Sequence, residues 1–200
     1  ERSRRQRQMC IRDSWRTNQS LSDGLYSEML ESIESNHENK EEFFTTFYDK
    51  NNLDIFNGLL PFYGEIISNM MTDLGLQHIS RYQYTVWMQM NNSLTNSHNP
   101  HSHFVGAESI SWVHFVNVPD QKCFYFQDSN NNKTYPDQNN GDFIAWPSWA
   151  IHGVDQVKQS NFDRIICAGN ISFTEYNFNN QRVISDLNEE KTICRWHIYK

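Results

Sequence analysis

The sequence predicts an α+β domain in which helices come first and an antiparallel β-sandwich or barrel follows. Apolar residues recur with helical spacing from residue 20 to about residue 78. The period then changes to the alternation of strands, and short strand-like runs separated by turn-rich stretches continue to residue 173. Helices followed by many short strands are typical of an α+β domain, and two hundred residues fit one such domain.

The predicted helical region, residues 15–78, contains three apolar stripes. The third is the clearest, with the spacing of one helix face through Tyr63, Ile66, Ile67, Met70, Met71 and Leu74. Pro61 suits the first turn of that helix and Gly75 its end. The earlier stripes are formed by Leu25, Met29 and Ile33, and then by Phe43, Phe44, Phe47 and Tyr48. We expect all three helices to pack on a sheet.

Strand-like runs fill the predicted core, residues 79–175. Residues 81–90 alternate in a way that indicates one half-buried strand. Further strands are predicted at Ser109–Val118, Cys123–Gln127, Asp142–Trp146 and Arg164–Phe173. Residues 176–200 follow as a C-terminal extension without an assigned role.

The first fourteen residues, ERSRRQRQMCIRDS, are set apart by their charge. Five arginines stand against Glu1 and Asp13, a net charge of +3, so the formal charge of −7 becomes −10 for the remainder. The segment resembles translated sequencing-adapter read-through, and we expect it to be foreign to the fold. A remainder this acidic is a poor candidate for binding nucleic acid.

Cysteine usage and hydropathy bear on the cellular compartment. The four cysteines show neither CxxC spacing nor disulfide-rich density, so we expect reduced thiols in a cytoplasmic protein of a bacterium or a bacterial host. We expect no membrane span, because no apolar run has the length that crossing a bilayer requires.

Three histidines form the strongest candidate site. His101 and His103 would share one face of an extended strand and can converge on one ion. His152 stands at a strand end flanked by a turn in GDFIAWPSWAIHGV, where Trp146 and Trp149 can wall a dry pocket. Neutral imidazole nitrogens suit Fe(II), Zn(II), Ni(II) and Cu(II). We predict that these three histidines hold a single divalent metal.

The stretch from Trp87 to Phe173 resembles the non-haem Fe(II)/2-oxoglutarate oxygenase superfamily, and most of all a phage and marine-bacterial branch of it. The matching pieces are Trp87, HSH at 101–103, SWVHFVNVP at 111–119, FYFQD at 124–128, GDFIAWPSWAIHGV at 141–154 and DRIICAGNISF at 163–173. The resemblance implies a double-stranded β-helix (jelly-roll) core with helices packed on one sheet. It also implies an Fe(II) site, 2-oxoglutarate and O2 as co-substrates, and hydroxylation as the reaction.

Arg164 matches the arginine that binds the distal carboxylate of 2-oxoglutarate in the superfamily. It lies twelve residues after His152, at the start of a predicted strand, and an arginine fork suits a carboxylate. The Ser or Thr that often follows two residues later is Ile166 here, so one expected hydrogen bond is missing. Alternatively, Arg164 pairs with Asp163 or with a surface carboxylate.

The acidic metal ligand of the superfamily is replaced in this chain. Most members carry HxD or HxE, whereas His103 stands at the acidic position here, and Glu108 is the nearest alternative ligand. HSHFVGAE also matches the H-x-H-x4-E spacing of cupins. A cupin would use His101, His103, Glu108 and His152 without Arg164, as a dioxygenase, an isomerase or a binding module without turnover.

The prime substrate is not named by any loop, and the fold does not determine it. A small molecule and a protein side chain both stay open. A third possibility is a non-catalytic β-sandwich in which the histidines only pack.

Overall fold

The computed structural model describes residues 14–37, 43–47, 53–91, 97–103, 107–157, 163–178, 181–184 and 197–199. Within these ranges the chain forms two helices and thirteen strands. The helices are α1 (Asp23–Asn36) and α2 (Phe56–Asp73). The strands are β1 (Trp15–Asn18), β2 (Phe44–Thr45), β3 (Ile79–Tyr84), β4 (Trp87–Asn91), β5 (His98–His101), β6 (Glu108–Asn117), β7 (Phe124–Gln127), β8 (Lys133–Thr134), β9 (Asp142–Pro147), β10 (His152–Val154), β11 (Arg164–Phe178), β12 (Gln181–Ile184) and β13 (His197–Tyr199).

Eight of the strands, four from each sheet, form the double-stranded β-helix. The large sheet has the order β1-β9-β6-β11-β3-β13, with β4 also paired to β11, β2 to β4 and β12 to β11. The small sheet has the order β5-β10-β7-β8. Its partners across the sandwich are β4, β11, β6 and β9, and the chain changes sheet at almost every connection between β4 and β11, as in a jelly roll. The predicted fold is confirmed.

The large sheet lies between two hydrophobic cores because side chains alternate between its faces. On one face, Tyr63 of α2 packs against Trp112 of β6 with the ring centroids 4.7 Å apart. On the other face, Phe115 of β6 packs against Phe124 of the small sheet at 5.8 Å. Since both faces are covered, β6 is buried without interruption from residue 111 to residue 115. The helices therefore pack on one sheet, as predicted.

Helix α2 differs from the prediction at its start and agrees with it at its end. It begins at Phe56, so the placement of Pro61 in the first turn is wrong. Apolar residues before the proline are buried in the same core, and their packing carries the helix across it. Gly75 follows the last turn with φ of +67°, and the N–H of Leu76 donates to the carbonyl of Met71 (2.9 Å), a Schellman motif.

The prediction of a second helix is wrong. Phe44–Thr45 forms β2, which pairs with the edge of β4, and Phe47 packs edge-on against Trp87 at 5.1 Å. Pairing with β4 satisfies the backbone there, and the aromatic side chains reach the core from an extended chain. Tyr48 lies outside the described residues. The region 15–78 therefore supplies two strands, β1 and β2, besides its helices.

The single strand predicted over residues 81–90 is divided into β3 and β4. Both pair with β11, but with different halves of it. At the division, the backbone of Gly169 comes so close that a Cβ atom there would overlap the carbonyl oxygen of Thr85 and the ring of Trp112. Residues 84–88 are all buried, so the expected alternation is lost at this crossing.

The predicted C-terminal extension adds strands to the large sheet. β12 pairs with the end of β11, and β13 pairs with β3. Across the described ranges, no helix combines the length and the hydropathy needed to cross a membrane.

Candidate metal centre

The small sheet brings two of the three predicted histidines face to face. His101 ends β5 and His152 begins β10, and these residues are direct partners in the antiparallel pairing. His103 follows β5 by two residues, and its N–H donates to the carbonyl of Ser148 in the turn before β10 (2.9 Å). The pairing of β5 with β10 thus positions the whole set.

The three imidazoles form one cluster. Their candidate ligand atoms all lie within 4.8 Å of one another. The Nε2 atoms of His101 and His103 are 3.1 Å apart. Two nitrogens about 2.1 Å from a common ion and at right angles to each other would be separated by about 3.0 Å. The donor set therefore fits a divalent transition metal bound through imidazole nitrogen.

Hydrogen bonds fix which ring nitrogen each histidine can offer. Nδ1 lies 2.9 Å from the Asn99 carbonyl in His101, 2.7 Å from Asn170 Oδ1 in His103 and 3.1 Å from the Ala150 carbonyl in His152. A carbonyl oxygen can only accept, so each Nδ1 carries the proton and each Nε2 has its lone pair available. Such outer hydrogen bonds are the usual way in which metal-binding histidines are oriented.

Burial keeps two of the histidines in the neutral form that a metal requires. It lowers the pKa of His103 below its ordinary value, and it lowers the pKa of His152 much further, helped by the neighbouring histidines. A neutral ring can donate its Nε2 lone pair to a metal without first losing a proton.

Asn170 is the residue of this site that sequence reasoning missed. Its Oδ1 accepts from His103 and also from Ser111 Oγ (2.8 Å), which is 2.9 Å from Ser148 Oγ. The Trp87 ring stacks on the His103 ring with the centroids 6.3 Å apart. The available signal was a polar residue in the middle of the apolar run RIICAGNISF.

The cluster opens into a cavity of about 450 Å³ between the sheets. Its walls are mainly aromatic and aliphatic, and they include Trp87, Trp112, Phe124, Trp146, Ile166 and Ala168. Trp146 packs edge-on against His152 at 4.8 Å, as a pocket wall would. Trp149 is not one of the lining residues, and 52% of it is exposed. The prediction for Trp149 is wrong, because the turn after β9 directs this side chain outward.

Arg164 begins β11 and lines the same cavity. Only 2% of the residue is exposed, and within the described ranges its Nε and Nη2 atoms have no hydrogen-bond partner. Burial lowers the pKa of the guanidinium, and contact with the Cys123 thiol acts in the opposite direction. Arginine stays charged at neutral pH in spite of such shifts. A buried cation with two unpaired N–H groups provides a site for an anion.

Polar side chains stand opposite the position where a Ser or Thr was expected. Ile166 is the register partner of Gln89 on β4, and Arg164 is the partner of Asn91. Gln89 Nε2 donates to Asn91 Oδ1 (2.9 Å), and both side chains line the cavity. Amides on the neighbouring strand therefore lie beside the apolar Ile166.

Glu108 is not brought into the histidine cluster. It begins β6 and lines the cavity, but none of its oxygens lies within 4.8 Å of the ligand atoms of all three histidines. The alternative ligand from the sequence thus lies in the same cavity without completing the set.

Solved structures of low sequence identity share this fold. The chain is similar to a prolyl-4-hydroxylase of Pseudomonas putida, with 10% identity, a TM-score of 0.57, and 80% of this chain and 92% of that chain covered. It is similar to the epimerase SnoN from nogalamycin biosynthesis, in a complex with Fe3+, α-ketoglutarate and nogalamycin RO, with 11% identity, a TM-score of 0.58 and coverage of 88% and 85%.

A Trichoplax adhaerens prolyl hydroxylase in complex with a hypoxia inducible factor peptide also matches, with 11% identity, a TM-score of 0.58 and coverage of 84% and 86%. A scan against protein-family models and a search of curated proteins find no match. The phage and marine-bacterial branch stays a prediction. At these identities the likeness concerns the fold, and the chain has the double-stranded β-helix fold of the Fe(II)/2-oxoglutarate oxygenases.

Proposed function

We propose that the protein is an Fe(II)- and 2-oxoglutarate-dependent oxygenase that hydroxylates its substrate. The observation that carries this proposal is the pairing, in one cavity, of a three-histidine cluster with the buried guanidinium of Arg164. A metal alone would need only the histidines. The unpaired N–H groups of Arg164 call for an anion in addition, and a dicarboxylate co-substrate supplies one.

The chain's own residues would divide the work. His101, His103 and His152 would hold Fe(II) through Nε2, with Asn170 fixing the ring of His103. Three protein ligands leave coordination positions for co-substrates. In the chemistry that we propose, O2 oxidises a substrate C–H bond while 2-oxoglutarate is decarboxylated to succinate. The aromatic walls would exclude water from the reaction.

Arg164 would bind the distal carboxylate of 2-oxoglutarate. Its Nε and Nη2 form one edge of the guanidinium fork, the geometry that receives a carboxylate with two parallel hydrogen bonds. We propose further that Gln89 and Asn91 supply the polar contact that Ile166 does not.

The proposal is tested by conversion of 2-oxoglutarate to succinate under Fe(II), O2 and ascorbate, without a prime substrate. Protein purified without a His tag should form succinate, and His152→Ala should reduce the rate to background. Arg164→Leu should raise the 2-oxoglutarate concentration that is required, whereas Arg16→Leu, at an exposed arginine, should not. Wild-type turnover no faster than that of His152→Ala would contradict the proposal.

The roles of Glu108 and Arg164 distinguish the oxygenase from the cupin alternative. A cupin needs Glu108 as a ligand, and this residue stays outside the histidine cluster. The cupin alternative also gives no role to the buried Arg164. Loss of metal in Glu108→Gln together with unchanged 2-oxoglutarate affinity in Arg164→Leu would favour the cupin.

Metal content distinguishes a non-catalytic β-sandwich from the oxygenase and the cupin. Less than about 0.1 equivalent of metal after reconstitution with Fe(II) or Zn(II) would favour it, because three converging imidazoles should retain close to one ion.

A further inference from the structure

Glu108 Oε2 and Ser172 Oγ are two of the buried polar atoms that have no hydrogen-bond partner within the described residues. Glu108 and Ser172 are register partners on β6 and β11. The Ser172 side chain is 1% exposed, and within the described ranges neither Glu108 Oε2 nor Ser172 Oγ makes a hydrogen bond. Leaving a carboxylate oxygen buried and unpaired costs free energy, so such an atom in a cavity wall is a candidate contact for a ligand.

This pair lies on the side of the histidines away from Arg164. Arg164 and Asn170 line the cavity from the same face of β11. Ser172 is the next residue on that face and lies just beyond the lining residues. Asn170 holds His103. Along the strand, Arg164 lies six residues before Asn170. Ser172 lies two residues after Asn170, at a distance of about 7 Å from it. A co-substrate bound to Arg164 would therefore leave the Glu108 side free.

Glu108 Oε2 and Ser172 Oγ can both accept a hydrogen bond from a ligand. A carboxylate accepts hydrogen bonds, and a hydroxyl can accept as well, so the matching group carries several N–H bonds and a positive charge. The described residues contain two ion pairs, Lys122–Asp137 and Lys133–Asp155, and neither involves Glu108. Arg81, on β3 of the same sheet, makes no ion pair with Glu108 either.

The cavity walls favour an organic cation over a metal ion or a plain ammonium. Trp87 and Trp146 line the cavity beside His103 and His152, and aromatic faces attract Lys-like and Arg-like cations. Among the described lining residues, Arg164 is the single Lys or Arg. The two negative charges of bound 2-oxoglutarate would offset most of the positive charge of the metal and of Arg164. The volume of about 450 Å³ is in the range of small-molecule sites.

We propose that Glu108, on the cavity wall, binds the ammonium or guanidinium group of a small cationic substrate, with its register partner Ser172 as a weaker contact. This rests on the proposed oxygenase function, since it places the substrate across the metal from 2-oxoglutarate. Glu108 then has a substrate-binding role, and it is not a metal ligand.

The test compares benzylguanidine with benzylurea, which have nearly the same shape and differ in charge. Zinc-loaded protein saturated with 2-oxoglutarate is titrated with each probe, and the dissociation constant is read from tryptophan fluorescence. We expect the cation to bind at least about tenfold more tightly in the wild type. Glu108→Gln should bring the ratio close to one, and Ser172→Ala should lower it by a smaller factor.

A matched control is Glu65→Gln, which removes the same charge from the exposed side of α2. It should retain the full preference for the cation. A ratio near one in the wild type, or an unchanged ratio in Glu108→Gln, would overturn the proposal. Loss of zinc in Glu108→Gln would overturn it too, because Glu108 would then be a ligand.

Two further titrations distinguish failure of the cation site from failure of the oxygenase function. The same titration without 2-oxoglutarate measures the charge preference alone, and a separate titration measures 2-oxoglutarate binding. A protein that prefers benzylguanidine and does not bind 2-oxoglutarate keeps the cation site and loses the proposed function. A protein that binds 2-oxoglutarate without the preference does the reverse.

Discussion

The two cores of this protein use buried histidine in opposite ways. In the core beneath the helices, His114 is fully buried, its Nδ1 accepts from the Tyr63 hydroxyl (2.8 Å), and its Nε2 donates to the Gln19 carbonyl (2.9 Å). Between the sheets, His103 and His152 each use Nδ1 in a hydrogen bond with a protein oxygen. The difference lies in the second nitrogen and not in burial. A histidine whose two nitrogens both form hydrogen bonds with protein oxygens has no nitrogen left for a ligand, whereas one that uses only Nδ1 in this way keeps Nε2 for a ligand.

The largest expected effect is on metal binding. His101→Ala and His152→Ala should each abolish stoichiometric Fe(II) binding, with affinity reduced by well over the roughly 100-fold that loss of an outer hydrogen bond can cost. His114→Gln should retain one equivalent, because His114 offers no nitrogen to an ion. Metal content after anaerobic reconstitution and desalting measures both outcomes. Equal metal loss in His114→Gln and His152→Ala would remove the distinction between the cores.

His103 sharpens the comparison because it stands at the acidic position of the superfamily. His103→Ala should lose the metal, whereas His103→Asp should retain it, since a carboxylate oxygen also binds Fe(II). Glu108→Gln should retain the metal as well. If His103→Ala keeps a full equivalent while Glu108→Gln loses it, the ligands are His101, Glu108 and His152.

Arg164 resembles the histidines between the sheets in having atoms left for a ligand. It is buried, and within the described residues its Nε and Nη2 have no hydrogen-bond partner. Arg164→Leu should weaken 2-oxoglutarate binding to the zinc-loaded protein by roughly 2–5 kcal/mol, the cost of removing one partner of a buried charge pair. Zinc content should not change, because Arg164 is not a ligand. Calorimetric titration measures the affinity, and Arg16→Leu is the surface control. Unchanged affinity in Arg164→Leu would instead support the cupin.

The sequence indicated the histidines and the arginine that line the cavity because that information is local. The spacing of His101 and His103 predicts a common face, and His152 and Arg164 stand next to recognisable turns and strand starts. Asn170 could not be found in this way, since it meets His103 from 67 residues away. That contact exists only once the strand order is known.

The fold was predictable where periodicity acts alone and not where tertiary contacts override it. The strand runs that became β6, β7, β9 and β11 have clear boundaries in the sequence. Phe43, Phe44 and Phe47 fit a helix as well as a short strand, and only the open edge of β4 decides between them. The division of β3 from β4 depends on the close approach of Gly169, which no local pattern reveals.

The smallest expected effect concerns His114 and the pH dependence of stability. Burial lowers the pKa of His114 to about 4, below the value of about 6.5 expected in the unfolded chain. A neutral ring fits the site because Nδ1 accepts from Tyr63, and a second proton would break that hydrogen bond. Between pH 6.5 and pH 4 the unfolded chain binds the extra proton, so the stability that His114 contributes is complete above this window and is lost as the pH falls through it.

From pH 7 to pH 5 this loss amounts to about 2 kcal/mol, at about 1.4 kcal/mol per pH unit within the window. Urea unfolding of the metal-free protein at both pH values should therefore show a smaller decrease in His114→Gln than in the wild type, by about that amount. The other histidines are the same in both proteins, so their contribution cancels in the difference. Equal decreases would mean that His114 is as easily protonated in the folded state as in the unfolded chain. The NMR titration of the His114 ring gives the same answer independently, because a ring paired at both nitrogens should stay neutral down to about pH 4.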